Sequence, residues 1–317
     1  MNAADLYRKA FACLPDGDFY DLADRVDGDD PEIAHTLEQG IESLALFDQA
    51  VQCTECDWGP EAVLGIPDDA SISVGRLAML ACLRAEESIR RGDDRAGLDD
   101  LLAIMTLGWH LACGIYIPHM VGLPIANIGV TKATEVVERL DSATRRAFAD
   151  KLDALPPFPS LSLAVRAEQT YYRENYRDKF ATFADGSIDE ELRLMYPTPV
   201  PPDDLDDALV AIFDAMIHES EARFEQILSA TGGTRMGSLT LADETLAAFD
   251  TLIEIADESE TPAGAIKLAR LREQAESNPL LAQELVSFDG MLPFWTGSRQ
   301  AYEHLRSLAV EEGTEGQ

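Results

Sequence analysis

The sequence predicts an all-α protein on three observations. Apolar residues recur at a period near 3.6 almost throughout, alternating runs rich in Val, Ile and Thr are missing, and glycines and prolines punctuate the chain at helical intervals. With 317 residues, 46% of them hydrophobic, the chain is long enough to bury a substantial core. The expected architecture is an irregular bundle or short solenoid of roughly a dozen helices, stacked as tetratricopeptide-like hairpins.

Element by element, Ile33 to Val51 reads as helix. Leu77, Leu80, Ala81, Arg84 and Ala85 then open a stripe that runs to Ile89 and stops at Gly92, where Asp93 and Asp94 offer an acidic start to the next helix. That second arm continues through Leu98, Leu101, Leu102 and Met105 to Leu111, so the two form an antiparallel hairpin of about 20 residues per arm. From Leu101 to Thr131 there is no Asp, Glu, Lys or Arg, but Gly108, Gly114, Pro118, Gly122, Pro124 and Gly129 interrupt the run. It reads as two buried helices broken near Gly114 to Pro118, not as a membrane span.

A middle helix is expected from Leu161 to about Phe183. Ser187 with Glu190 reads as a capping box, and Thr240 with Asp243 as a weaker one. Gly232-Gly233 ends a helix that Asp203 to Asp207 begin with acidic charge at its positive pole. The Pro-rich stretches at 156–159 and 197–202 suggest three segments, 1–155, 156–202 and 203–317, which serve equally as rigid corners within one domain. Residues 311–317 are expected to fray.

Charge narrows the partners. The formal net charge is −33, from 58 Asp+Glu against 25 Lys+Arg. Nucleic-acid backbones and anionic membranes are repelled by such a chain, so neither is an expected partner, and a carboxylate-rich surface with few lysines suits a salt-rich medium. The five cysteines, an odd and scattered set, read as buried thiols in a reducing compartment. Together with an N-terminus that lacks a basic and apolar leader, they give a cytoplasmic expectation.

Candidate chemistry is sparse. Cys53-Thr54-Glu55-Cys56 is one C-x-x-C without a second ligand pair, so Cys53 and Cys56 serve as an alternative metal pair only, and two buried thiols suffice as explanation. Asp16, Asp18, Asp27 and Asp29 are oxygen donors, but their spacing fails the calcium-loop pattern. His110 and His119 stand in the uncharged stretch, where an imidazole needs a partner or a lowered pKa. His218 lacks a second histidine one turn away, while His35 and His304 read as surface positions.

In the middle helix, Tyr172, Tyr176, Phe180 and Phe183 form an aromatic stripe beside a basic face of Arg166, Arg173 and Arg177. One reading makes this a groove wall for an anionic ligand or acidic peptide. The other packs the stripe in the core and pairs the arginines with Glu168, Glu174, Asp178 or other acids. No nucleotide, dinucleotide or hydrolase motif occurs, and no cofactor is implied.

Cys56-Asp57-Trp58-Gly59, Arg91-Gly92-Asp93, Leu107-Gly108-Trp109-His110-Leu111, residues 155–160 (Leu-Pro-Pro-Phe-Pro-Ser) leading to Arg166-Ala167-Glu168, and Ser277-Asn278-Pro279-Leu280-Leu281 together resemble a group of all-helical bacterial proteins without an assigned activity. The resemblance covers much of residues 50 to 285 and implies the helical fold. The functional expectation is therefore a non-catalytic scaffold or binding module for a protein or small anionic ligand. Asp57, Trp58, His110, Glu168, Tyr172, Arg173, Tyr176 and Arg177 are its expected lining. The alternative is an enzyme using His110, His119 and Glu168.

Overall fold

The fold was analysed on a computed structural model that describes residues 1–17, 19, 22, 30–58, 68–112, 114–198, 200, 207–258 and 261–310. The expectations for Asp18, Asp27, Asp29, Gly59, Cys113, Asp203 to Asp206 and residues 311–317 lie outside them. The described chain is all-α and has no strand among those residues, only an isolated bridge between Ser187 and Thr234. It divides into two compact units, residues 1–160 with 293–317 and residues 161–292. The units meet at Leu161 and Pro293.

In the first unit, α1 (Ala3–Ala12) starts at Asn2, whose side chain accepts from Ala4 N. The helix expected over 33–51 is two, α2 (Pro31–Gln39) and α3 (Ile41–Ala50), joined at Gly40. A Cβ there would lie 2.7 Å from Leu80 Cδ2, so glycine lets this corner pack closely on the next helix without moving that side chain. The predicted hairpin is present as α4 (Asp68–Arg90) and α5 (Asp94–Ala112). Gly92 takes φ +82°, which costs glycine little, and Asp93 Oδ1 accepts from Ala96 N at 3.1 Å.

After α5 the chain turns into α6 (Tyr116–Val137), so the expected break is where the sequence put it. The glycines of this uncharged stretch form a close helix seam. A Cβ on Gly108 would sit 2.5 Å from Ala126 N and Gly122 O, and one on Gly129 would sit 2.6 Å from Leu101 O. The apolar character of 101–131 thus belongs to a two-sided core contact, and no helix among the described residues is long and apolar enough to cross a membrane. α7 (Ser142–Asp153) follows, with Asp141 accepting from Ala143 N and Thr144 N.

The second unit opens with α8 (Leu161–Tyr172), which passes through a π-helical turn at Arg173–Arg177 into α9 (Asp178–Thr182). α10 (Asp189–Met195), α11 (Asp207–Thr231), α12 (Arg235–Asp257) and α13 (Pro262–Ala275) complete it with the first part of α14 (Pro279–Val310). Two caps differ from expectation. Ile188, not Ser187, stands at the α10 N-cap without a side-chain bond, and Ser187 forms a backbone bridge with Thr234. Thr240 lies inside α12 and bonds back to Met236 O; the cap is Thr234, which accepts from Gly237 N.

Gly232 and Gly233, at φ +59° and +64°, end α11 as predicted. α14 passes Pro293 on its way back to the first unit, where Tyr302, Leu305 and Ala309 join the core.

Candidate functional site

Each unit gathers some of the candidate residues. In the first, α1 lies against residues 53–58 and the end of α5. Asn2 Nδ2 donates to Asp57 O at 2.6 Å, Asp57 N donates back to Asn2 Oδ1 at 2.8 Å, and Ala3 N donates to Glu55 O at 2.9 Å. Trp58 stacks on Tyr7 at 5.6 Å and on Phe11 at 6.4 Å, and its indole donates to His110 O at 3.1 Å. Arg8 covers the indole and bonds Trp58 O.

His110 is buried, with Nδ1 2.9 Å from the Tyr7 hydroxyl, and burial lowers its pKa to about 4. It is therefore a neutral ring at physiological pH, sharing one hydrogen with Tyr7. His119 is fully buried, and its Nδ1 lies 2.8 Å from Ala112 O; burial lowers its pKa too. The two histidines thus have separate partners.

Cys53 and Cys56, expected to be buried, are half-exposed and outside any disulfide, packed against the edge of the core together with Val51 and Trp58. Their electrostatic effect, after burial, raises the Tyr7 pKa. Among the described residues no group of three or more His, Cys, Asp and Glu side chains is placed to hold a metal ion.

In the second unit the aromatic stripe turns inward. Tyr172, Phe180 and Phe183 are buried and Tyr176 is half-buried. Tyr172 and Tyr176 stack at 5.1 Å, as i,i+4 neighbours across a helical turn do, and Tyr172 reaches Phe249 of α12 at 5.7 Å. Tyr176 also meets Tyr196 at 5.9 Å and Tyr171 at 6.2 Å. The π turn carries one residue more per turn than an α-helix and shifts the register at Arg173–Arg177.

A residue the sequence reading missed acts on these tyrosines through its charge. Glu284 on α14 is 9% exposed. Burial first, and the Glu168 carboxylate second, push its pKa up to about 8. Its signal was in the sequence: Leu280, Leu281, Leu285 and Phe288 form a buried helical stripe, and Glu284 falls on it. Asn278 sets this helix in place. Its Oδ1 accepts from Leu280 N and Leu281 N at 3.1 Å each, and its Nδ2 donates to Leu241 O of α12 at 3.2 Å.

The arginines part company with the stripe. Arg177 Nε donates to Asp243 Oδ1 at 3.0 Å, whereas Arg173 and Arg166 are exposed and make no side-chain hydrogen bond or ion pair among the described residues. Asp57, Trp58 and His110 belong to the first unit, and Glu168, Tyr172, Arg173, Tyr176 and Arg177 to the second. Comparison of the chain with protein-family models, curated proteins and solved structures finds no match.

Proposed function

We propose that this protein is a non-catalytic helical binding module that docks an acidic segment of a partner protein on one face of α8. The observation that carries this reading is a pair of cations, Arg166 and Arg173, with no carboxylate partner among the described residues of a very acidic chain. Leu163, Arg166, Thr170 and Arg173 fall at i, i+3, i+7 and i+10 and are all exposed, with Leu163 65% exposed. A chain of net charge −33 has carboxylates to spare, yet none pairs with Arg166 or Arg173 among the described residues. Two unpaired guanidinium forks beside an exposed leucine suit a carboxylate-bearing, partly apolar partner.

The enzyme alternative draws no such support. His110 and His119 are buried neutral rings with partners of their own, and general acid–base work needs a ring within reach of substrate. The free thiols Cys13, Cys53, Cys56 and Cys82 support a reducing, cytoplasmic setting.

The test is affinity capture at high salt with wild type and the Arg166→Glu, Arg173→Glu double variant, followed by titration of each captured protein in purified form. Both side chains are exposed, so the variant keeps its melting temperature. A partner whose purified form binds wild type and loses at least about tenfold in affinity for the variant supports the reading. Equal affinity for both proteins refutes it.

A further inference from the structure

A second arrangement, independent of the α8 face, lies in the first unit, where α5 and α7 leave a cleft of about 200 Å³ between them. On α5 its lining includes Arg95, Leu98 and Asp99, at i, i+3 and i+4, and on α7 it includes Ala147, Phe148 and Lys151, at i, i+1 and i+4. Leu98 and Phe148 are buried members of the core and form the floor. Ala147 gives the wall only a methyl group, and Arg95 is exposed at the mouth.

The charges of this cleft run against those of the chain. Lys151 Nζ donates to Asp99 Oδ1, so the one carboxylate of the lining is already met. Asp94, next to Arg95 in sequence, stands 3.7 Å from Arg139, and Arg95 itself makes no hydrogen bond or ion pair among the described residues. Two cations against one carboxylate leave the lining with a net positive charge on a chain of −33. Exposed carboxylates beyond about 8 Å are largely screened at physiological salt, so the charges of the cleft decide which ion it accepts. A guanidinium fork takes a carboxylate through two parallel hydrogen bonds, and an apolar floor takes the body behind it. A drug-sized ligand needs about 300 Å³ or more, whereas a cavity of about 150 Å³ holds one benzene ring. The space therefore suits a single ring or a short branched chain. A small inorganic anion would leave the floor wet, and a neutral ring would leave Arg95 unused.

We infer that the α5–α7 cleft is a binding site for a small monocarboxylic acid with a ring-sized apolar body. Its carboxylate pairs with the Arg95 guanidinium, with the Lys151 ammonium as a second cation nearby, and its body rests on Leu98 and Phe148. The cleft belongs to the first unit and the α8 face to the second, so the two proposals stand or fall separately.

The experiment titrates 4-fluorobenzoate, its neutral isostere 4-fluorobenzamide and the ringless acid trifluoroacetate with purified full-length protein, at one sodium chloride concentration, and follows the ligand fluorine signal by NMR. 4-Fluorobenzoate is expected to bind saturably and at least about tenfold tighter than either analogue. Arg95→Gln, at an exposed position, should keep the melting temperature and bring the acid down to the affinity of the amide. Ala147→Leu fills the cleft and should remove binding; if that variant does not fold, Arg95→Gln decides alone. The Arg166→Glu, Arg173→Glu protein should bind 4-fluorobenzoate as wild type does, which separates this cleft from the α8 face. No saturable binding of the acid, equal affinity for the acid and either analogue, unchanged binding in Arg95→Gln or in folded Ala147→Leu, or loss of binding in the α8 double variant overturns the proposal.

Discussion

Replacing Glu284 with Gln changes the pH dependence of stability in a direction opposite to that of an ordinary carboxylate. An Asp or Glu in a salt bridge has its pKa depressed on folding and stabilises the protein above its unfolded pKa. Glu284 is raised from 4.5 to about 8, by burial and then by Glu168. The groups coupled to it electrostatically are Glu168, Tyr171 and Tyr172 from α8, Tyr176 from the π turn and Tyr196 after α10, with Arg223 of α11 acting on Tyr196. The folded state therefore binds the proton more tightly than the unfolded chain, and stability is complete below pH 4.5 and lost as pH rises through 8.

At 1.36 kcal/mol per unit, the full loss approaches about 5 kcal/mol, of which about 3 kcal/mol is already gone at pH 7. Glutamine has no proton to lose. Urea unfolding of both proteins from pH 4 to 9 at one salt concentration, in buffers free of organic amines, isolates this one group, since the self-repulsion of the remaining carboxylates is common to both. The variant should gain on wild type steadily between pH 4.5 and 8, and the difference should level off beyond. A difference independent of pH, or a wild type that gains on the variant over that interval, refutes the assignment of Glu284 as a buried acid.

Further expectations concern the frame around the two clusters. Gly108→Ala should cost at least about 3 kcal/mol by chemical denaturation, since the new methyl meets the α6 backbone at 2.5 Å, whereas an ordinary Gly→Ala change in a helix gains about 1 kcal/mol. Asn278→Ala removes the cap of α14 and one of the two side-chain bonds to Leu241 O, for a loss of about 1–2 kcal/mol, read as a lowered denaturation midpoint with unchanged slope. His110 titrates the other way from Glu284. Its folded pKa of about 4 lies below the usual 6.5, so its contribution is present above pH 6.5 and falls by about 3 kcal/mol as pH drops toward 4, a loss that His110→Gln should abolish in parallel melts.

The helical class and the α4–α5 hairpin were legible because each rests on local signals: apolar spacing, Gly92 at a left-handed φ, and Asp93 as cap. The caps at Ser187 and Thr240 were misread because two candidate cap residues stood near each helix start, and only tertiary neighbours chose between them. Ser187 pairs through its backbone with Thr234, and Thr234 caps α12 by accepting from Gly237 N at 3.1 Å while Thr240 lies inside the helix and bonds Met236 O. Tyr172 and Tyr176 were visible as a stripe, but what they face was not. Glu284 is more than 100 residues away in sequence, and the charge that gives the cluster its character comes from a helix whose apolar stripe drew the eye away from its single acid. Cys53 and Cys56 were taken as buried because cysteine usually is; the loop that carries them packs against the edge of the core and leaves both half-exposed.

The course of α14 bears on the order in which the protein can be built. Pro279 to Leu292 belong to the second unit, and from Pro293 the same helix supplies Trp295, which donates to Pro159 O at 2.8 Å, and Tyr302, which meets Trp109 at 5.2 Å. On the ribosome, residues 1–160 therefore emerge well before the helix that closes their core, and the whole second unit is synthesised in between. Until Tyr302, Leu305 and Ala309 arrive, the faces of Trp109 and Phe158 wait uncovered. The late helix thus acts as a latch: a chain cut after Leu292 keeps every residue of the second unit and leaves the first without its final wall.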